Sequence, residues 1–185
     1  MIETQRLILR PFTQNDAMDV FEYLHEPTVH CFEDMRINSL EEATEAVLER
    51  ANDNEYYFAI VLKGSGKVIG EIFAHPEGDK SHDGNCDTFS PCWMLNSEYH
   101  GKGYAFEAAR AYFQFLFDEK GARRLYAYTE DYNIASQKLC EKLGMRREGL
   151  YLEFISFIND ESGNPIYENT YEYAILKKEW KENNN

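Results

Sequence analysis

The sequence predicts an α/β domain of the α+β kind, a mixed sheet with helices on both of its faces. Three observations predict it. The apolar period switches repeatedly between two and 3.6 along the chain. Helical stretches fall among strands in the order β-α-α-β-β-β-α-β-α-β-β, so the strands cannot all pair in parallel. No low-complexity linker, repeat or composition break interrupts the 185 residues, so residues 1–185 read as a single domain able to bury most of its unfolded surface.

Each element has a local reason. Thr4 to Phe12 reads as a strand with Leu7 and Leu9 on one face. From Asp16 to Leu24, Ala17, Val20, Phe21 and Leu24 form one helical stripe. Ser39 to Glu42 has the capping-box arrangement, so a helix should run from there to about Ala51. Tyr56 to Leu62 is apolar on both faces, as a central strand would be, and the turn Gly64 to Lys67 returns the chain along Val68 to Ala74 as a hairpin. Glu77 to Asn85 is polar and reads as a loop. A strand follows through Trp93, Met94 and Leu95. The strongest helix comes next, with Ala105, Ala108, Ala109, Tyr112, Phe113 and Leu116 in unbroken helical spacing. Arg124 to Thr129 reads as a strand, and Ile134 to Leu143 as a helix closed by Gly144. Two final strands flank the turn Asn159 to Asn164. In the second, Tyr167, Tyr171, Tyr173 and Ile175 alternate with Glu168, Thr170 and Glu172, which predicts one wet face.

Charge narrows the function. With 33 acidic and 19 basic residues the formal charge is −14, which opposes binding to a phosphate backbone, so nucleic acid is not expected as a partner. A cationic small molecule or an amine suits the field better, although an acidic surface also serves solubility. Thirteen tyrosines and twelve phenylalanines argue against disorder. No window approaches the ~20 apolar residues of a membrane span, and Met1 to Arg10 carries Arg and Glu where a secretion signal is apolar. A cytoplasmic protein without a membrane partner is the expectation. Cys31, Cys86, Cys92 and Cys140 form no Cys-x-x-Cys pair, so neither a zinc knuckle nor a disulfide framework is expected. Cys86, Cys92, His75 and His82 are too irregularly spaced to predict a metal cluster, and no metal is expected.

The informative segment is Trp93 to Ala109: a strand, a loop holding Gly101 and Gly103, then the strongest helix. Glycines there allow a tight turn with several amides pointing one way, and the helix dipole adds to them. A pyrophosphate would sit on the amides of Gly101, Lys102, Gly103, Tyr104 and Ala105. Taken alone, the loop reads equally well as a plain helix cap. Neither Gly-x-x-x-x-Gly-Lys-Ser/Thr nor Gly-x-Gly-x-x-Gly is present, so nucleotide hydrolysis and dinucleotide binding lose ground.

The run Tyr99-His100-Gly101-Lys102-Gly103-Tyr104-Ala105-Phe106-Glu107-Ala108 resembles the acetyl-CoA pyrophosphate loop of the GNAT superfamily of N-acetyltransferases, whose pattern is Gln or Arg, two residues, Gly, one residue, then Gly or Ala. Thr4 to Arg10 resembles the first strand of the branch that acetylates ribosomal-protein N-termini, the RimJ/RimL-like branch. Asn133 to Ser136 followed by Glu141 to Met145 resembles the helix after the fifth strand, and Glu168 to Trp180 the final strand. The resemblance spans almost the whole chain. It implies the acyl-CoA N-acyltransferase fold: a mostly antiparallel sheet in which two neighbouring strands, ending near Leu95 and Thr129, splay apart to admit the pantetheine arm. Backbone groups of Trp93, Met94 and Leu95 would pair with that arm, and Asn133 would face it, while also suiting the N-cap of its helix.

The chemistry implied is direct attack of a neutral amine on the thioester of acetyl-CoA, used as acyl donor without a metal. The departing thiolate needs a proton donor. Cys140 stands where many relatives carry Tyr, and Ser136, one turn earlier, matches the serine implicated in the ribosomal branch. Ser136 could alternatively bond the backbone one turn back. The base is expected to be Glu71 or Glu153, less so Asp87, or a water relay. Glu107 matches a family glutamate for which a structural role is expected. His30, His75 and Tyr128 could line the acceptor pocket, built by Glu26 to Asn52 and the final hairpin. His100 replaces the usual Gln or Arg, which removes one side-chain donor. The acceptor would be a primary amine: a protein N-terminus, a lysine, a polyamine or another small cation. A catalytically idle acyl-CoA sensor of the same fold is the alternative. The aromatic alternation from Tyr167 to Tyr173 would suit a homodimer as well as a core.

Overall fold

The computed structural model describes residues 1–77 and 86–184. An eight-stranded sheet runs through it. Its strands are β1 (Ile2–Glu3), β2 (Leu7–Arg10), β3 (Phe58–Leu62), β4 (Val68–Glu77), β5 (Thr88–Leu95), β6 (Arg124–Glu130), β7 (Arg146–Asn159) and β8 (Pro165–Leu176). Their order across the sheet is β1-β2-β3-β4-β5-β6-β8-β7, and every neighbouring pair is antiparallel except β5 with β6. The helices are α1 (Ala17–Leu24), α2 (Leu40–Asn52), α3 (Tyr104–Asp118), α4 (Ile134–Lys142) and α5 (Lys177–Asn184).

Alternation along the strands divides the core in two. Phe58 and Ile60 turn toward α3, whose Ala108, Ala109, Tyr112, Phe113, Leu116 and Phe117 are buried with Leu139 and Cys140 of α4 and Trp180 of α5. Ala59 and Val61 turn the other way, toward Val20, Tyr23 and Leu24 of α1 and Ala43 and Val47 of α2. Helices therefore cover both faces, and the burial of these apolar side chains is the main term holding the layers together.

Local chemistry sets several boundaries. The strand expected over Thr4 to Phe12 is shortened to β2, because Thr4 Oγ1 accepts the Leu7 N–H at 3.0 Å and donates to Glu107 at 2.6 Å, turning the chain between β1 and β2. Ser39 caps α2 by accepting the Glu42 N–H at 3.1 Å, as its sequence foretold, but the box is not closed, since the Glu42 carboxylate accepts the Asn38 N–H at 2.8 Å. β4 continues through Glu77, and the remainder of the loop expected from Glu77 to Asn85 lies outside the described residues, as does His82. Among the described residues no cluster of three or more His, Cys, Asp or Glu is arranged to hold a metal ion.

One expectation is reversed over the first half of β8: Glu168 is 7% exposed and Thr170 3%, whereas Tyr167 is 57% exposed; Tyr173 and Ile175, further along, are buried as expected. Two causes act together. A short 3-10 segment, His30–Met35, covers Glu168 from a part of the chain far away in sequence. The register of β7 against β8 also shifts at Tyr151/Ile155 and Ser156/Ile158, which breaks a simple two-residue alternation.

Candidate active site

The parallel pair β5 and β6 is joined only at Thr88 with Arg124 and Phe89 with Leu125. Beyond that point the two strands separate, so among the described residues the β6-facing edge of β5 from Ser90 to Leu95 lacks a strand partner, a wedge of the kind that accepts an extended guest. On its other edge β5 is held by β4 through Gly70 opposite Leu95, Glu71 opposite Met94 and Ile72 opposite Trp93. Gly70 is required there, since a Cβ at that position would come within 2.2 Å of the Met94 carbonyl oxygen.

At the mouth of the wedge α3 begins. Gly103 occupies its N-cap position with φ +80° and supplies no side-chain cap, and the N–H groups of Gly103, Tyr104, Ala105 and Phe106 find no acceptor among the described residues. Gly101, at φ +72°, faces open space. A 15-residue helix thus presents uncapped donors and the positive end of its dipole at an exposed turn. The loop is braced from beneath. Arg6 donates to the Lys102 carbonyl at 3.0 Å and pairs with Glu107 at 2.6 Å. Burial pushes the Glu107 carboxyl up, but Thr4, the Arg6 N–H and the Arg6 guanidinium outweigh it and hold the group below the usual glutamate value. Glu107 therefore serves as a brace. His100 Nε2 lies 3.0 Å from the Leu95 carbonyl, so this side chain ties the loop to the end of β5, and Lys102 Nζ bonds the Glu98 carbonyl at 2.8 Å.

On the far side of the wedge, Asn133 caps α4: its Oδ1 accepts the Ser136 N–H at 3.1 Å while its Nδ2 donates to Glu130 at 3.3 Å. Ser136 is half-buried, and its hydroxyl makes no hydrogen bond among the described residues, to the backbone one turn back or elsewhere. Cys140 is fully buried, and burial pushes its thiol up to about 12. It packs in the core and is a poor proton donor.

The carboxylates differ sharply. Glu71 is fully buried and both of its oxygens are engaged, by Arg50 at 3.1 and 3.3 Å and by the hydroxyls of Tyr23 at 2.9 Å and Tyr57 at 2.8 Å. Glu153 is exposed on β7 at φ +48°, where its N–H donates to Asn169 at 3.0 Å. Asp87 pairs with Arg123 at 2.7 Å, at the closed end of the wedge. Sequence reasoning passed over Glu130 and Glu168 as site residues. Glu130 ends β6 with 6% exposure, beside Cys31, whose thiol is pushed up by burial and then by Glu130. Cys92, on β5, is pushed up to about 11 by burial, with Glu77 and Glu130 adding. These thiols stay protonated at neutral pH. Glu168 meets His30, whose ring lies 5.5 Å from that of Tyr132. His75 and Tyr128 are exposed on β4 and β6.

The family model for the acetyltransferase (GNAT) domain matches residues 6–146. An uncharacterized N-acetyltransferase of Bacillus subtilis, YnaD, is 32% identical over 179 residues, covering 97% of this chain and 98% of the relative. A solved GNAT-family acetyltransferase from Bacillus anthracis superposes with a TM-score of 0.81 at 29% identity, covering 96% of this chain and 98% of that one. The ribosomal-protein-S5-alanine acetyltransferase of Vibrio fischeri shares the fold, with a TM-score of 0.72 at 21% identity over 96% of this chain and 97% of that one.

Proposed function

The chain belongs to the GNAT acetyltransferase family, and from that premise we propose that it moves the acetyl group of acetyl-CoA directly to a primary amine. The observation that carries this reading is the uncapped N-terminus of α3 at the mouth of the β5–β6 wedge. The amides of Gly101, Lys102, Gly103, Tyr104 and Ala105 would hold the pyrophosphate, with Lys102 free to exchange its carbonyl partner for a phosphate. His100, tied to Leu95, would shape the loop in place of a donor. The free edge of Trp93, Met94 and Leu95 would pair with the pantetheine arm and turn an N–H toward the thioester oxygen, where negative charge develops.

The Ser136 hydroxyl would give a hydrogen bond to the departing thiolate; its lack of a partner among the described residues supports this role over a backbone one. Glu71 is already committed to one cation and two hydroxyls, which favours a packing role over proton transfer. Glu153 keeps its carboxylate in solvent, where it could meet an arriving amine. The acceptor would be a primary amine carrying positive charge, such as a peptide N-terminus, a lysine or a polyamine, drawn by the acidic surface.

The test is release of free CoA thiol from acetyl-CoA with a panel of amines, followed by mass measurement of the product. Steady release with an amine gaining one acetyl group is expected. Tight CoA binding without release from any amine would instead favour an idle acyl-CoA sensor.

A further inference from the structure

Resting on the acetyl-transfer reading, we infer that His30 takes the proton from the acceptor ammonium and that Glu168 positions it for that task. Glu168 is 7% exposed, and its Oε1 lies within hydrogen-bond distance of His30 Nδ1. An ionised carboxylate can only accept, so Nδ1 carries the hydrogen and the neutral ring keeps its lone pair on Nε2. The His30 side chain is 43% exposed, so the ring edge away from Glu168 can meet a guest. The other carboxylate oxygen, Oε2, has no partner among the described residues, and neither does the buried hydroxyl of Thr170.

The place is also apt. His30 donates its backbone N–H to the Tyr132 hydroxyl at 3.3 Å, and Tyr132 directly precedes Asn133. The 3-10 segment carrying His30 packs with the α1–α2 layer through Phe32 and Met35, while α4 with Ser136 packs in the α3 layer. The proposed proton acceptor and the thiolate's donor thus belong to segments packed on opposite faces of the sheet, with Tyr132 linking His30 to the start of α4.

In the step this implies, one proton passes from the ammonium to His30 Nε2, freeing the nitrogen lone pair. That pair forms the C–N bond at the thioester carbonyl, and the C–S bond breaks with its electron pair on sulfur. The second nitrogen proton reaches the thiolate through Ser136, and His30 returns its proton to solvent. The products are the amide, free CoA and one proton.

Two measurements on the full chain test the dyad. Nitrogen-15 NMR of the CoA-bound protein should find neutral His30 protonated on Nδ1, with Glu168→Gln shifting the balance toward Nε2. In thiol-release assays with spermidine, lysine amide and an alanyl peptide, His30→Gln should lower kcat about 100-fold and Glu168→Gln about 10-fold, the affinity for CoA staying within a factor of two. Neutral His30 protonated on Nε2 overturns the dyad. So does a His30→Gln rate within threefold of the wild type, or a hundredfold loss confined to Glu153→Gln. Wild-type protein that releases no thiol with any of the three amines sinks the acetyl-transfer reading itself, and the dyad with it.

Discussion

Gly103 sits at φ +80°, in the left-handed region that a β-branched residue enters only at a cost of a few kcal/mol, and it is where a phosphate would approach the backbone most closely. Gly103→Val is therefore expected to weaken CoA binding at least tenfold by calorimetry while α3, anchored by its buried stripe, keeps its circular dichroism. Ser136→Ala removes a hydroxyl with no partner among the described residues, so kcat should fall about tenfold or more with little change in CoA affinity; equal loss of both would reduce Ser136 to a cofactor contact. Glu71 answers a nearly buried cation. Burial lowers the Arg50 pKa, yet Glu71 and the nearby tyrosine hydroxyls outweigh it and keep the guanidinium charged. Glu71→Ala should then cost about 3–5 kcal/mol in urea unfolding, because it strands that charge. A fully stable Glu71→Ala protein with abolished turnover would restore Glu71 as the base.

At the scale of elements, the start of α1 is fixed by Asp16, which accepts from Arg10 at 2.7 and 2.8 Å and from the Thr13 N–H at 2.7 Å. Burial raises the Asp16 carboxyl, but these donors outweigh it and hold the group below the ordinary aspartate value. Because the folded value is depressed, the stability Asp16 contributes is present above the unfolded pKa of about 3.9 and is lost as pH falls through the folded one. Asp16→Asn should accordingly cost about 1–3 kcal/mol at pH 7, and the gap to wild type should close below about pH 4 in denaturant titrations. A pH-independent gap would assign the effect to shape. Elements with strong local causes were legible in the sequence: the unbroken stripe of α3, the Ser39 cap of α2, and Asn133 before α4. What was not legible depended on distant chain. The turn at Thr4 that delays the start of β2 to Leu7 is held by Glu107, and the buried phase of Glu168 and Thr170 is set by a 3-10 segment and a shifted register, neither of which leaves a periodic trace. The short α5 was missed because, apart from Trp180, its residues are polar.

At the scale of the whole molecule the same division holds for the site. The glycine loop could be read from adjacent residues because its donors are consecutive in sequence, whereas the His30–Glu168 contact joins residues from the two ends of the chain and had no local signature. Charge is the one global property visible at once, and it has opposite consequences for the two substrates. A formal charge of −14 would repel the phosphates of acetyl-CoA at long range and attract the proposed amine acceptor, while the α3 amides and Lys102 would act only at short range. Raising ionic strength shrinks the reach of the general field from about 10 Å at 0.1 M salt to about 3 Å at 1 M and leaves close hydrogen bonds largely intact. The KM for acetyl-CoA should therefore hold steady or fall between 0.05 and 0.5 M sodium chloride, given as about a factor of two. Over the same range the KM of a multiply charged acceptor such as spermidine should rise several-fold, and that of a singly charged amine less. Parallel rises for both substrates would mean that the acidic surface plays no part in selecting the acceptor, and that the net charge serves solubility alone.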